Sequence, residues 1–319
     1  MRICLMIEGQ EGVSWAQWVD LARAAELYGF EALYRSDHYL SLFEPERRSS
    51  LDAWTTIAGL APLTSRLRFG TLVSPLSFRH PSHLAKVVAT ADHISGGRIE
   101  VGIGAGWYER EHLSFGFGFP ADPHRFRAFE EYVRIVHGLL SEEDNFTFNG
   151  DHYQLVEASA LPKPIQRPHP PLIMGGQAGP RAAALAARWA SEYNLYDTSP
   201  DQVGEKRGRL RAACDAAGRD PDTLGISINA NILIGTGEQD LEARSARHLA
   251  YQALAVTPAE HLGSLGSERL VGTPEQILEQ IGAYAAAGVT RMMMQVFPHD
   301  DLEAIALIGT EVLPTAADV

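Results

Sequence analysis

Alternating apolar and polar positions divide the chain into repeated units of a short strand followed by a helix. Short apolar runs predict eight strands, at residues 3–7, 32–34, 67–72, 99–103, 172–174, 192–196, 226–234 and 291–295. Apolar positions at helical spacing predict helices at residues 14–28, 52–63, 81–94, 125–140, 180–190, 200–217, 239–254, 274–287 and 302–308. Residues 141–171 break this rhythm, and Asn149-Gly150 within them indicates a small hairpin.

Eight strand–helix units without a large shift in composition indicate an α/β fold, a (β/α)8 TIM barrel with insertions. We expect a single domain over residues 1–319, with residues 141–171 and 257–273 as the insertions. A doubly wound open sheet is the alternative, because counting strands cannot show that a sheet closes on itself.

Composition narrows the class of partner. The formal net charge of -13 argues against nucleic acid and against acidic membrane surfaces, so we expect a small-molecule partner. Cys4 and Cys214 lie far apart in sequence, which indicates a reducing cytoplasm, and neither a signal peptide nor a membrane span is predicted. His and Cys show none of the spacings of metal ligands, so no metal site is predicted.

Three glycines at every second position, Gly102, Gly104 and Gly106, end the fourth strand. The aromatic pair Trp107-Tyr108 follows them. Missing side chains let a flat ligand approach the backbone, but they equally allow tight packing inside a barrel without any ligand. A dinucleotide-binding fingerprint is excluded, because positions 107 and 109 do not hold the third glycine that it requires.

In a barrel, chemistry belongs at the carboxyl ends of the strands. Asp37 and His38 fall just past the end of the second strand, and His38 can exchange a proton near neutral pH, although Asp37 can equally be a loop cap or a salt-bridge partner. The fifth strand leads into Gly175-Gly176-Gln177 before a helix, which can bind an anion or be an ordinary turn. Other candidates at this rim are Thr71, Leu72, Ser74 and Asn194.

Several motifs in combination carry a resemblance to a known family. They are Tyr34-Arg-Ser-Asp-His38, Gly70-Thr-Leu-Val-Ser-Pro75, Phe78-Arg-His-Pro81, Ser95-Gly-Gly-Arg98 and the stretch 102–111. Through these motifs, residues 1–296 resemble the bacterial luciferase-like monooxygenase family. Within that family it is most similar to the branch of oxidoreductases that use the deazaflavin coenzyme F420.

The resemblance implies a flavin or deazaflavin ring over the strand ends, with its phosphate in the turn after the fifth strand. The cofactor-binding residues that it implies are Asp37, Thr71, Leu72, Ser74, Ala105, Gly106, Gly175, Gly176, Gln177 and Asn194. It further implies a cis peptide bond at Thr71-Leu72, His38 as proton donor or acceptor, and a substrate pocket beside Trp107 and Tyr108.

One residue departs from the branch. Trp107 stands where the branch's sugar-phosphate dehydrogenase has a glutamate acid/base, which argues against sugar-phosphate oxidation.

The leading hypothesis is hydride transfer between F420 and a small organic substrate, in either direction. The alternative is a monooxygenase that activates oxygen on reduced FMN supplied by a separate reducing enzyme. A deazaflavin lacks the ring nitrogen for oxygen chemistry, so the cofactor decides the reaction.

Other hypotheses remain open from the sequence. A glycoside hydrolase would use strand-end acids such as Glu8, Asp37 and Asp197, and a non-catalytic flavin-binding protein would need no acid/base residue. The anionic tail of F420 would bind Arg47-Arg48 or Lys206-Arg207. By analogy with the family, we expect a homodimer.

Overall fold

Eight parallel strands close into a barrel in the computed structural model, which describes residues 1–43, 48–141 and 144–318. The strands are β1 (Arg2–Ile7), β2 (Ala32–Arg35), β3 (Arg68–Thr71), β4 (Ile99–Gly104), β5 (Leu172–Gly175), β6 (Glu192–Tyr196), β7 (Gly225–Ile234) and β8 (Arg291–Val296). The last strand pairs with the first in parallel, with Arg291 opposite Arg2. This closure confirms the TIM barrel and excludes the open sheet.

Helices follow the strands and cover the outside of the barrel. They are Trp15–Tyr28, Ala53–Leu60, Pro81–Ser95, Glu109–Phe115, Asp122–Leu140, Pro180–Trp189, Pro200–Ala216, Glu238–Gln252, Pro258–Ser264, Pro274–Ala287, Leu302–Leu307 and Leu313–Ala316. Local signals set their ends: Ser14 and Gln17 form a capping box before the first helix, and Gly29 ends it at φ 91°. Among the described residues, no helix is both long and apolar enough to cross a membrane.

Short elements are where the sequence-based assignment was incomplete. The helices Glu109–Phe115 and Pro258–Ser264 lie in stretches to which the sequence assigned no element. Each has seven residues, too few for an apolar periodicity to stand out. Two short strands, Ser74–Pro75 and Leu270–Gly272, also extend the sheet. The predicted hairpin is confirmed, with Phe146–Asn149 antiparallel to Gln154–Ala158.

The end of β3 is irregular. The strand stops at Thr71, the chain bulges, and Ser74–Pro75 pairs again with β4. A cis peptide bond joins Leu72 to Val73, so the expectation of Thr71-Leu72 was wrong by one residue. The Leu72 N–H still donates to the Arg35 carbonyl at 2.9 Å, which keeps the chain in register with β2 up to that residue.

The glycines of β4 accommodate this bulge. A Cβ atom on Gly102 would lie 1.9 Å from the Thr71 carbonyl oxygen, and one on Gly104 would lie 2.6 Å from Val73 Cγ2. Of the two interpretations left open by the sequence, tight packing therefore explains Gly102, while Gly104 packs on Val73 and also lines the cavity described below. Gly106, at φ 80°, lies beyond the strand and faces the cavity described below.

Charged side chains close the amino end of the barrel interior. Arg291 is 2% exposed and binds both carboxylate oxygens of Glu100, at 2.6 and 3.1 Å. Glu192 lies 3.3 Å from the same guanidinium. Burial raises the pKa of Glu100, but Arg291 and Arg68 outweigh burial and lower it to about 2. An apolar layer above them contains Cys4, Met6, Ala32, Tyr34, Ile173 and Met293.

Gly102→Ala should destabilise the protein by about 3 kcal/mol, because the added methyl group meets backbone that cannot move aside. Gly204→Ala is the matched control: nothing lies within 4 Å of its Cβ position, and it sits inside the helix Pro200–Ala216. We expect Gly204→Ala to stabilise by about 0.5–1 kcal/mol. Urea denaturation measures both, and a Gly102→Ala protein as stable as wild type would contradict the packing argument.

Candidate active site

A cavity of about 540 Å³ opens at the carboxyl ends of the strands. This volume lies within the usual range for small-molecule sites. Several residues predicted from the sequence line it, namely His38, Leu72, Ala105, Gly106, Trp107, Gly175, Gly176 and Asn194. Chain segments far apart in sequence thus meet at the rim where a barrel is expected to carry its chemistry.

Three predicted residues lie below the cavity rather than in its wall. Asp37, Thr71 and Ser74 are almost fully buried. The Ser74 hydroxyl donates to Asp37 Oδ2 at 2.6 Å and accepts from Trp54 Nε1 at 2.9 Å, while Arg79 binds Asp37 at 2.5 Å. Their polar groups support the cavity floor from beneath, and their predicted contact with a cofactor stays a prediction.

The turn after β5 has part of its hydrogen-bonding capacity already used. The Gly176 N–H donates to the Asn194 carbonyl and the Ala178 N–H to the Tyr193 hydroxyl, both at 3.0 Å. Gln177 donates to the Tyr196 carbonyl at 2.7 Å. Within the described chain, Gln177 and Gly179 keep N–H groups without an acceptor in the fold. A phosphate in this turn therefore stays a prediction, one that rests on those two donors.

Of the basic residues suggested for a cofactor tail, the three that the structure describes do not line the cavity. Arg47 lies outside the described residues, and Arg48 binds Glu11 at 3.0 Å. Lys206 is 9% exposed and donates to Gln177 and Thr198 within the fold. Arg207 borders a recess with Arg2 and Gly288, at the amino end of the barrel, so it cannot reach a ligand at the opposite end.

Two other arginines do lie beside the cavity. A recess of about 290 Å³ is lined by Arg125, Arg181, Phe126 and Ala105, and Ala105 also lines the main cavity. We call it the Arg125–Arg181 recess. The Arg181 guanidinium lies over the Phe126 ring at 4.3 Å and forms a 3.4 Å ion pair with Glu130, in which both side chains are about half exposed.

A buried carboxylate orients His38. The Nδ1 atom of His38 lies 2.8 Å from Oε2 of Glu111, and Glu111 is completely buried. The other oxygen of Glu111 accepts the backbone N–H groups of Tyr39 and Leu40, which fixes the carboxylate. Trp107 lies edge-on to the imidazole with the ring centroids 5.8 Å apart. With Nδ1 engaged, Nε2 is the nitrogen left for a molecule in the cavity.

The same pair changes the pKa of His38. Burial lowers that pKa, but the hydrogen bond and the charge of Glu111 raise it more, with smaller contributions from Glu8 and Asp37. The net effect is a pKa above the usual value for histidine. A larger fraction of His38 is therefore protonated near neutral pH than of an exposed histidine, which suits a proton donor.

Sequence reasoning missed Glu111 as a functional residue. Glu111 lies in the motif that carried the family resemblance, but residues 109–124 were interpreted as a loop, so no burial was expected for it.

His112 was also missed, although it lines the cavity. Its Nδ1 donates to the Tyr108 carbonyl at 2.8 Å, so its Nε2 accepts from the Ser77 hydroxyl at 2.6 Å. Tyr108 itself stacks on Trp107 and donates to the Ser41 carbonyl at 3.3 Å.

Comparison with known proteins identifies the family. A profile described as luciferase-like monooxygenase matches residues 2–291. The chain belongs to the luciferase-like monooxygenase family. It is 27% identical, over 94% of its length and 87% of the relative's, to an FMNH2-dependent dimethylsulfone monooxygenase from Pseudomonas putida.

Solved structures share the fold of this luciferase-like protein. The F420-dependent tetrahydromethanopterin reductase from Methanopyrus kandleri matches with a TM-score of 0.80 at 22% identity, covering 99% of both chains. An F420-dependent secondary alcohol dehydrogenase matches with a TM-score of 0.82 at 20% identity, covering 99% and 98%. The proteins that this chain resembles thus include, by their names, users of both coenzymes. Within the described ranges, no three His, Cys, Asp or Glu side chains are placed to share a metal ion.

Glu111→Gln should lower the pKa of His38, because it removes the charge that opposes the effect of burial. NMR titration of the His38 ring protons measures this pKa. Glu109→Gln, an exposed change in the same short helix, is the matched control and should leave it unchanged. An unshifted His38 in Glu111→Gln would contradict the assignment.

The sign of the accompanying stability change follows from linkage. Because folding raises the pKa of His38, the ion pair stabilises the fold fully below about 6.5, the ordinary histidine pKa, and this stabilisation is lost as the pH rises through the raised value. The difference in unfolding free energy between wild type and Glu111→Gln should therefore be larger at about pH 6 than at about pH 9.

Proposed function

We propose that this luciferase-like protein transfers a hydride between coenzyme F420 and a small organic substrate, with His38 as its proton donor or acceptor. The observation that carries the proposal is the His38–Glu111 pair, with Nδ1 held at 2.8 Å and the other ring nitrogen left for the cavity. Hydride addition to a carbonyl or an activated double bond also requires a proton, and a positioned histidine provides it.

The proton balance is simple. When bound, the coenzyme supplies or takes up the hydride. During reduction, a proton passes from His38 Nε2 to the substrate atom next to the carbon that gains hydride, and the imidazole becomes neutral. During oxidation, Nε2 takes the proton from the hydroxyl group. Glu111 stays bonded to Nδ1 in both directions, so the ring keeps its orientation and its tautomer.

The cavity wall fits a flat ring. Ala105 and Gly106 follow the last residue of β4, Gly175 ends β5 and Gly176 follows it, so these four positions add almost no side-chain atoms to the cavity wall. A Cβ atom on Gly106 would lie 3.2 Å from His112 Nε2, and one on Gly176 would lie 3.0 Å from the Tyr193 hydroxyl. Packing therefore favours glycine at both positions, and the absence of side chains there leaves backbone in the cavity wall.

The Arg125–Arg181 recess fits an anionic cofactor tail. It adjoins the cavity at Ala105 and provides two guanidinium groups in a protein of net charge -13. Asp122 pairs with Arg125 and Glu130 with Arg181, and an anionic tail would compete with these two exposed or half-exposed carboxylates for the guanidinium groups. Arginine forms paired hydrogen bonds with phosphate and carboxylate, the groups that a long anionic tail carries.

A reduced-FMN monooxygenase is the second candidate. The relatedness to an FMNH2-dependent dimethylsulfone monooxygenase over 94% of the chain favours it. That function would require a separate enzyme to supply reduced FMN. A homodimer in the cytoplasm remains a prediction under both functions.

Titration of the purified protein with reduced F420 and with reduced FMN tests the proposal. We expect F420 to bind, and its reduced form to be consumed without oxygen when a carbonyl panel is added. His38→Gln should lower kcat by about 100-fold or more while the dissociation constant of F420 stays unchanged. Tight FMN binding with substrate-dependent oxygen uptake, and no F420 binding, would overturn it.

Arg181→Ala should weaken F420 binding about tenfold, because it removes a charged partner of the tail. A deazaflavin without the phosphate-bearing tail should bind wild type and variant equally. Arg188→Ala, an exposed change at the other end of the same helix, is the control. Equal F420 affinity in Arg181→Ala and wild type would show that the tail lies elsewhere.

A further inference from the structure

A second carboxylate in the cavity wall has no part in the proposed proton transfer. Glu8 follows β1 and lines the cavity together with Ser36, Asn229 and Gln295. Interior positions alternate along β1, so Glu8 continues the row that contains Cys4 and Met6. It therefore stands at the top of the barrel interior, where the apolar layer gives way to the cavity.

Neutral side chains on both sides of Glu8 direct their donors towards it. Gln10 Nε2 donates to Glu8 Oε2 at 2.7 Å, and Gln295 Nε2 donates to Glu8 Oε1. Since each amide nitrogen faces the carboxylate, each amide oxygen faces away. Those oxygens accept from the Ser36 hydroxyl and, at 3.3 Å, from Asn229 Nδ2.

The direction of these hydrogen bonds fixes the amide orientations. A carboxylate can only accept, so neither glutamine can turn over without placing an oxygen against an oxygen. The Ser36 hydroxyl accepts from the Gly9 N–H at 3.0 Å, which leaves its proton for Gln10. Gln10, Ser36 and Gln295 are at most 8% exposed. Four neutral side chains thus hold one carboxylate in place.

Among the described residues, no arginine or lysine is bound to this carboxylate, and His38 in the same cavity, whose pKa Glu8 helps to raise, is hydrogen-bonded to Glu111 instead. Arg35 is the buried guanidinium whose pKa is influenced by Glu8, but it binds the Ser36 carbonyl, Thr56 and the Leu51 carbonyl instead. Arginine and lysine are also absent from the described wall of the cavity. A carboxylate without a counter-ion is unfavourable in a partly buried place, and each oxygen has room for a further donor.

We propose that Glu8 recognises the substrate by accepting a hydrogen bond from a hydroxyl or amino group, and that the cavity rejects anionic substrates. This deepens the proposed function, on which it rests, by naming the substrate class. The substrate is a neutral or cationic molecule that carries a donor group, in addition to the carbon that exchanges hydride. The cofactor's own negative charge lies outside this cavity, in the Arg125–Arg181 recess.

The remaining wall agrees with an amphipathic substrate. Leu42, Leu72, Val73 and Trp107 supply apolar surface, and Trp107 is 63% exposed. The donor group would face Glu8 while the apolar body packs against these side chains. In the same wall, the imidazole of His38 is hydrogen-bonded to the fully buried carboxylate of Glu111.

Binding of four ring compounds to the full-length protein tests this proposal. Cyclohexanol, cyclohexylamine, methoxycyclohexane and cyclohexanecarboxylate share one apolar body and differ only in donor capacity and charge. The NMR signal of the His38 ring reports binding inside the cavity. We expect the alcohol and the amine to bind about tenfold more tightly than the ether and the carboxylate.

Variants separate recognition from folding. Glu8→Gln should reduce the preference for the amine over the carboxylate to about twofold or less, since it removes the charge. Glu8→Asp keeps the charge and should keep the order of affinities, even where Glu8→Gln folds poorly. Glu242→Gln removes an exposed charge elsewhere and serves as the control.

Three results would overturn the proposal: equal affinities in wild type, an unchanged preference in Glu8→Gln, or no response of His38 to any of the four compounds. The measurement needs neither coenzyme nor turnover. Failure of F420 to bind would therefore refute the proposed function while leaving the role of Glu8 to be judged on its own.

Discussion

The contact between the Thr71 carbonyl and Gly102 underlies both the barrel and its cavity. Only a residue without a side chain lets β4 lie this close to the end of β3, and Gly104 allows the same for Val73. Leu72 and Val73 can then turn into the cavity, while Ser74 returns below it to bind Asp37. Because Asp37 is held by Ser74 and Arg79, the next residue, His38, starts from a fixed backbone position.

The buried carboxylates at the two ends of the barrel have different partners. At the amino end, Arg291 meets Glu100 and Glu192, and the charges largely compensate each other inside the fold. At the carboxyl end, Glu8 and Glu111 have no guanidinium partner in the described chain. Arginine compensates the carboxylates at the amino end, whereas at the carboxyl end Glu111 is paired with a titratable imidazole and Glu8 only with neutral amides.

The two carboxylates of the cavity differ because their partners differ. Glu111 is bound to an imidazole that can carry a proton, so its charge controls a pKa. Glu8 is bound by amides that cannot titrate, so its charge remains available as a fixed acceptor. Family membership alone predicts neither role, since relatives with this fold use both F420 and reduced FMN.

The sequence by itself determined the eight strands, nearly all of the long helices and the rim that carries the site. Periodicity, capping residues and strand-end positions are local properties, and they placed His38, Trp107 and Gly106 at the rim where these residues line the cavity. It did not reveal that Gly102 and Gly104 serve packing, that Arg207 lies at the far end, or that Glu111 reaches His38 across 73 positions. Those facts depend on which strand ends become neighbours when the barrel closes. Only the tertiary structure decides that, because side-chain partners at such separations are set by packing and not by the order of residues.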